Sequence, residues 1–229
     1  MELPIVCEAD FSDPSYSFVD LDVLIDRIAG DLRAHGFSHV PAALPEPLWQ
    51  ALHAEVATAP AGQLKAASVG RFNARVANSE VRRDAILWIE GASDAQRAWM
   101  AFASRLQVEL NRRLLLGLFS FESHFAHYAP GAFYKRHLDA FRGQANRRLS
   151  VVAYLNEAWS PEDGGRLVLY DPEHDETALA EIQPEGGSLV VFLSEEFPHE
   201  VLSASKDRFS IAGWFRVNSS NSGRVDPPR

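Results

Sequence analysis

The sequence predicts an α+β chain in which helices come first and a β-sandwich or barrel follows, and three observations carry that reading. Apolar residues recur at helical spacing through the first half. From residue 120 onward the pattern changes to short runs rich in β-branched and aromatic residues, separated by turn signals. A length of 229 residues, with 46% hydrophobic and 23% charged, suits one folded unit with a sizeable core, neither disordered nor fibrous.

The elements follow in order. Leu21, Leu24, Ile25, Ile28 and Leu32 form one face of a first helix, and Gly36 ends it as a C-terminal cap. A second helix starts near Pro47 in PEPLWQALHAEV, where proline suits the first turn. A third runs through SDAQRAWMAFASRLQVELNRRLLL with Ser93 as its N-cap. Between them GQLKAASVGRFNARVANSEVRRD is poor in large apolar residues, so 62–79 reads as a mobile loop leading into the strand-like AILWIEG. SHFAHYAP, AFYKRHL, RLSVVAYLN, GRLVLYD, GSLVVFLS, HEVLSA and FSIAGWFRV read as strands, with SPEDGG and PEGG as turns. No internal repeat is evident. The expected organisation is a single domain: 1–117 mainly helical support, 118–217 a β core, and 218–229 a flexible polar tail.

Composition excludes several classes. Cys7 is the only cysteine, which rules out an intramolecular disulfide framework and any zinc module built on several thiolates, and fits a reducing cytoplasm. The amino-terminal stretch lacks the basic start and apolar run of a signal peptide, and no later stretch approaches a membrane span, so a cytoplasmic location with no membrane partner is expected. A net charge of -9 argues against nucleic acid as a partner. That charge is uneven: residues 1–31 carry eight acids against Arg27 alone, whereas 135–148 carries Lys135, Arg136, Arg142, Arg147 and Arg148 against Asp139.

Within that basic segment, AFYKRHLDAF places His137 and Asp139 two residues apart. In an extended strand such side chains share a face, so both could aim at one metal ion. Alone the match is weak, since chance supplies roughly half of one H-x-D in such a chain. His53 and His174 each begin an H-x-E, but the first falls in a helix and the second in polar DPEHDETA, and both read as solvent-facing. His199, in EEFPHEV, follows a strongly apolar run; the sixty residues after Asp139 hold enough strands for a sandwich to bring the two together. Two histidines and one carboxylate make the facial triad that leaves positions on iron open, although His199 by itself would read as a core histidine. Arg208 heads an apolar strand nine residues later, where its guanidinium could grip a carboxylate in a cavity or pair at the surface.

These residues, embedded in YAPGAFYKRHLD, RRLSVVAYLNEAW, GGRLVLY and PHEV, resemble the Fe(II) and 2-oxoglutarate-dependent oxygenases over roughly residues 80–217. Within them the likeness is to prolyl 4-hydroxylases related to the animal oxygen sensors that modify hypoxia-inducible factor, particularly bacterial members. The resemblance implies a double-stranded β-helix (jelly-roll) core with supporting N-terminal helices. It implies iron on His137, Asp139 and His199, the distal carboxylate of 2-oxoglutarate on Arg208 and Tyr154, and Tyr128 beside the co-substrate. Tyr134, Arg147 and Trp214 match positions near the bound peptide, and loop 62–79, with Lys65, Arg71 and Arg75, stands where those enzymes have a closing loop, which implies a lid with a basic inner face; on the residues alone a plain linker stays open. O2 and 2-oxoglutarate are consumed, ascorbate serves as reductant, and the substrate is a protein with an exposed prolyl loop carrying acidic residues, elongation factor Tu among bacterial relatives. Ala129 intervenes between Tyr128 and Pro130, and Ala212 stands where the animal enzymes have a polar residue that helps hold the co-substrate. Two other readings stay open on the residues: an oxygenase acting on alkylated nucleic acid or a small metabolite, and a non-catalytic jelly-roll binding module.

Overall fold

The structure, a computed structural model, describes residues 14–60, 62–67, 80–140, 146–174 and 176–218. After a 3₁₀ turn at Pro14–Tyr16, α1 (Leu21–His35) buries Ile25, Ile28, Ala29 and Leu32. Gly36 adopts a left-handed φ of 76° and its N–H donates to the Leu32 carbonyl oxygen at 3.0 Å, capping the helix as expected. A Cβ there would lie 2.8 Å from the Phe197 ring, so glycine is required by space as well as by φ. β1 (Phe37–Val40) follows, then α2 (Glu46–Ala57) with Pro47 in its first turn. β2 (Lys65–Ala66) pairs antiparallel with β3 (Ala85–Trp88). The Ser93 hydroxyl accepts from the Gln96 N–H at 3.1 Å and opens α3 (Asp94–Leu114).

The β core comprises β4 (Leu118–Tyr128), β5 (Tyr134–His137), β6 (Arg147–Tyr154), β7 (Leu167–Tyr170), β8 (Ala178–Ile182), β9 (Leu189–Leu193), β10 (His199–Val201) and β11 (Arg208–Val217). They form two antiparallel sheets, one of order β1-β9-β6-β11-β4-β3-β2 and one of order β5-β10-β7-β8. The alternation of side chains along the central strands divides the interior in two. Leu189 and Val191 of β9, Leu149 and Val151 of β6 and Ile211 and Phe215 of β11 join the helices in one core. Val190 and Phe192 of β9 and Tyr154 of β6 face the smaller sheet in the other, with Leu167, Leu169 and Val201. A strand buried on both faces reads as an unbroken apolar run, which is why GSLVVFLS showed no alternation.

The expected order of helices and strands is observed, with local differences. β4 begins at Leu118, earlier than the run SHFAHYAP indicated, because it continues through FSFE beside β11. β1 and β8 had no sequence signal: β1 has four residues, and β8 is mostly exposed. SPEDGG is a 3₁₀ turn at Pro161–Asp163, closed by reciprocal bonds between Ser160 and Asp163. Lys65 and Ala66, assigned to the mobile loop 62–79, are ladder residues instead. Arg71 and Arg75 lie outside the described residues, as do 219–229 of the expected tail. Among the described residues no helix is long and apolar enough to cross a membrane.

Candidate active site

β5 and β10 are antiparallel neighbours in the smaller sheet and set His137 opposite His199, with ring centroids 4.2 Å apart. Asp139 arrives by a different route from the one expected. β5 ends at His137, so Asp139 lies in the bend beyond the strand and does not reach His137's face by strand alternation. From there Oδ1 is 3.6 Å from His137 Nε2 and Oδ2 is 3.6 Å from His199 Nε2. The ligand atoms of all three residues fall within 4.8 Å of one another, a spacing one cation can bridge.

Backbone carbonyls set the tautomers. His137 Nδ1 lies 2.8 Å from the Lys135 oxygen and His199 Nδ1 3.0 Å from the Phe197 oxygen. A carbonyl only accepts, so each Nδ1 carries a proton and each Nε2 is the ring atom turned toward Asp139. Burial, with His137 alongside, pushes His199 down to about 4 and keeps its imidazole neutral. Burial alone would raise the Asp139 carboxyl; positive charge nearby, from His199 and His137 whenever either ring is protonated and from Arg147 always, holds it well below the usual carboxylate range. Neutral imidazoles and an ionised carboxylate are the forms a divalent metal binds. Tyr134 stacks on His137 with centroids 3.6 Å apart, and the Arg82 guanidinium, bonded to buried Asp84 at 2.7 Å, lies 4.4 Å from the Tyr134 ring centre.

The larger sheet supplies a second cluster. Arg208, only 1% exposed, stands opposite Tyr128 across the β4–β11 ladder, and its guanidinium lies 4.9 Å from the Tyr128 ring and 5.2 Å from that of Tyr154. Its Nε donates to the Gly165 carbonyl oxygen at 2.9 Å and Nη1 to Ser210 Oγ at 3.3 Å. Nη2 and the Tyr154 hydroxyl are buried with no partner. Burial raises the Tyr154 hydroxyl to about 12 against the opposing charge of Arg208, and raises Tyr128 further still, so both phenols stay protonated. Two adjacent unsatisfied donors, one of them cationic, are what a ligand carboxylate satisfies. Burial rules out the surface alternative for Arg208, and its neighbour Asp207 engages His127 Nε2 at 2.7 Å.

Trp214 lies on the same face as Arg208, 9% exposed, with its ring 5.5 Å from His124 and a buried Nε1 that has no partner. Arg147 stacks over Trp214 at 3.6 Å and pairs with Glu122 at 2.9 Å, which compensates part of the basic segment. Ala212 pairs with His124 and Val152 in the ladder and brings no polar group there. His174 is exposed beside Asp171, as expected. His53 differs from expectation: it is half-buried and meets the Phe209 ring edge-on at 5.1 Å, because α2 turns that face toward β11. Sequence reasoning missed Gly165, whose φ of 68° and lack of a Cβ let its carbonyl approach Arg208, and it missed Ser150 and Ser194 beside Asp139. The paired glycines of SPEDGG were visible only as a turn; buried serines leave no pattern.

Two stacked antiparallel sheets with a two-histidine, one-carboxylate site define the class of jelly-roll iron oxygenases. Comparisons with known proteins agree. The profile of the 2OG-Fe(II) oxygenase superfamily matches residues 123–216. The crystal structure of a Pseudomonas putida prolyl-4-hydroxylase is 40% identical and superposes with a TM-score of 0.76, covering 84% of this chain and 99% of that one. A Trichoplax adhaerens prolyl hydroxylase, solved with a peptide of the hypoxia-inducible factor oxygen degradation domain, is 26% identical with a TM-score of 0.74, over 86% of this chain and 90% of that one. Human Egl nine homolog 1 is 26% identical over 145 residues, 60% of this chain and 34% of that protein. Matches to the curated relatives span between 12% and 34% of those proteins' length. The chain belongs to the 2OG-Fe(II) oxygenase superfamily, and its core is the double-stranded β-helix that the resemblance implied.

Proposed function

We propose that this protein is an Fe(II)- and 2-oxoglutarate-dependent dioxygenase that hydroxylates a proline in a protein loop. One observation carries the reading: a metal-ligand triad and two unsatisfied buried donors, Arg208 Nη2 and the Tyr154 hydroxyl, coexist in one sandwich. A non-catalytic module in which His137 and Asp139 merely pair would have no use for those orphans, each of which costs about 1–3 kcal/mol. His137, Asp139 and His199 hold the iron in this reading. Arg208 and Tyr154 take the distal carboxylate of 2-oxoglutarate, with Tyr128 against the same co-substrate. Iron held there would supply the redox chemistry in which O2 is the oxidant: one of its oxygen atoms ends in succinate as 2-oxoglutarate loses carbon dioxide, and the other in the C–OH that replaces a C–H bond. The chain's own work is orientation and exclusion of water: Tyr134 braces His137, and Trp214 with Arg147 lines the side on which the peptide lies. The Trp214 indole N–H is free to donate to a peptide carbonyl.

The substrate within this reading is a prolyl loop with acidic neighbours, met by Lys65, Arg71 and Arg75 and by the basic segment 135–148; a loop of elongation factor Tu is the particular substrate proposed. The test incubates the full chain with Fe(II), 2-oxoglutarate, ascorbate, O2 and elongation factor Tu. Succinate and a mass gain of one oxygen on a proline are expected, and His137→Ala or Asp139→Ala abolishes both. Full turnover in those variants would sink the iron assignment. Succinate without any modified proline would move the chemistry to another substrate.

A further inference from the structure

Asp139 receives the least support from the sheets of the three ligands, since it stands beyond the end of β5. Its carboxylate is reached from the opposite sheet. Ser150 of β6 donates its hydroxyl to Oδ2 at 2.7 Å, and the Ser194 hydroxyl lies 2.9 Å from that of Ser150. Ser150 is 1% exposed and Ser194 fully buried. A hydroxyl has one proton to give and an ionised carboxylate has none. Ser150 therefore spends its proton on Asp139, and the second contact requires Ser194 to donate to Ser150. The bonds run in one direction, Ser194 to Ser150 to Asp139, and each polarises the next. Ser194 touches the same bend through its backbone, where its carbonyl accepts from the Ala140 N–H at 3.3 Å.

We infer that Ser150 and Ser194 are positioning residues for Asp139: a directed hydroxyl pair, braced on the larger sheet, that fixes the plane of the carboxylate so that Oδ1 is presented to a divalent metal. The inference rests on the metal site proposed above. Ser194 acts through Ser150, which sets it apart from two independent polar contacts.

The test titrates the full-length apo-protein with Mn(II) alone under nitrogen, following free ion by electron paramagnetic resonance, with no turnover involved. Ser150→Ala is expected to weaken binding roughly 10- to 100-fold, the usual cost of removing a group that holds a ligand. Ser194→Ala should weaken it by about 3-fold, and the double variant should match Ser150→Ala alone, because a residue that works through another adds nothing once that one is gone. Ser150→Thr, which keeps the hydroxyl, should return to within about 3-fold of the parent. Unchanged affinity in Ser150→Ala, with only a lower apo melting temperature, would overturn the inference in favour of a packing role. Additive losses in the double variant would overturn the relay. Should Ser150→Ala fail to fold, wild-type affinity in Ser194→Ala overturns it equally. Asp139→Ala separates the two levels: if it binds Mn(II) as the parent does, the metal site itself is wrong.

Discussion

The two faces of the seven-stranded sheet are built to opposite rules. Toward the helices, Phe125, Leu149, Val151, Ile211 and Phe215 pack with Trp99 and Phe102, and the Trp99 indole N–H is satisfied by Ser123 Oγ at 3.1 Å. Toward the smaller sheet the same strands present Arg208, Tyr154, Ser150, His124 and Trp214. Among the described residues five buried side-chain polar atoms lack a partner, and three of them, on Arg208, Tyr154 and Trp214, stand on this second face. A fold left to maximise stability would not gather them there, because each unsatisfied group costs about 1–3 kcal/mol. One face holds the molecule together; the other keeps donors waiting for something to bind.

That contrast can be broken from either side. Trp99→Ala, on the helix face, should have the largest effect on stability, about 3–5 kcal/mol by urea unfolding, while the folded fraction keeps its metal affinity. Arg208→Met should do the reverse. It should raise the KM for 2-oxoglutarate roughly 100-fold by removing charge-assisted bonds, and leave the unliganded fold within about 1 kcal/mol of the parent, since the two hydrogen bonds lost to Gly165 and Ser210 are offset by no longer burying a charge that has no counter-ion. Equal losses of stability from both variants would erase the distinction between the faces.

The smallest effect is a pH dependence on the cavity face. His124 is buried beside Trp88 and Trp214, and burial pushes it from an ordinary 6.5 down to about 4, against the opposing bond to the Phe125 carbonyl. The unfolded chain therefore takes up this proton first. Stability that is complete above about pH 6.5 is lost as the pH falls toward 4, by roughly 1–3 kcal/mol. In His124→Leu the melting temperature should fall less steeply over that window; an unchanged slope would place the titrating group elsewhere.

Much of this was legible in the residues. Gly36 and Ser93 announced the ends of two helices because caps are local chemistry, satisfied by side chains within three or four positions. The strands of the β core were readable wherever apolar residues were dense. β8, whose ALAEI is mostly solvent-exposed, and the four-residue β1 were not, since their strand character comes from pairing with β7 and β9. His53 was misread as solvent-facing for a related reason: a helix face becomes interior only when another element lies against it.

By itself, the sequence determined the chemistry on offer: an imidazole and a carboxylate two residues apart, a second imidazole sixty positions on, and a guanidinium nine beyond that. Tertiary structure alone decided how they meet. Asp139 arrives around a bend rather than along a strand, Gly165 and Ser210 engage two of the three Arg208 nitrogens and leave Nη2 open, and Ser150, itself bonded to Ser194, meets the carboxylate with no signal in the sequence. The reason is physical: donor and acceptor types are fixed residue by residue, whereas which of them are buried, facing and unsatisfied depends on two sheets closing over segments far apart in the chain.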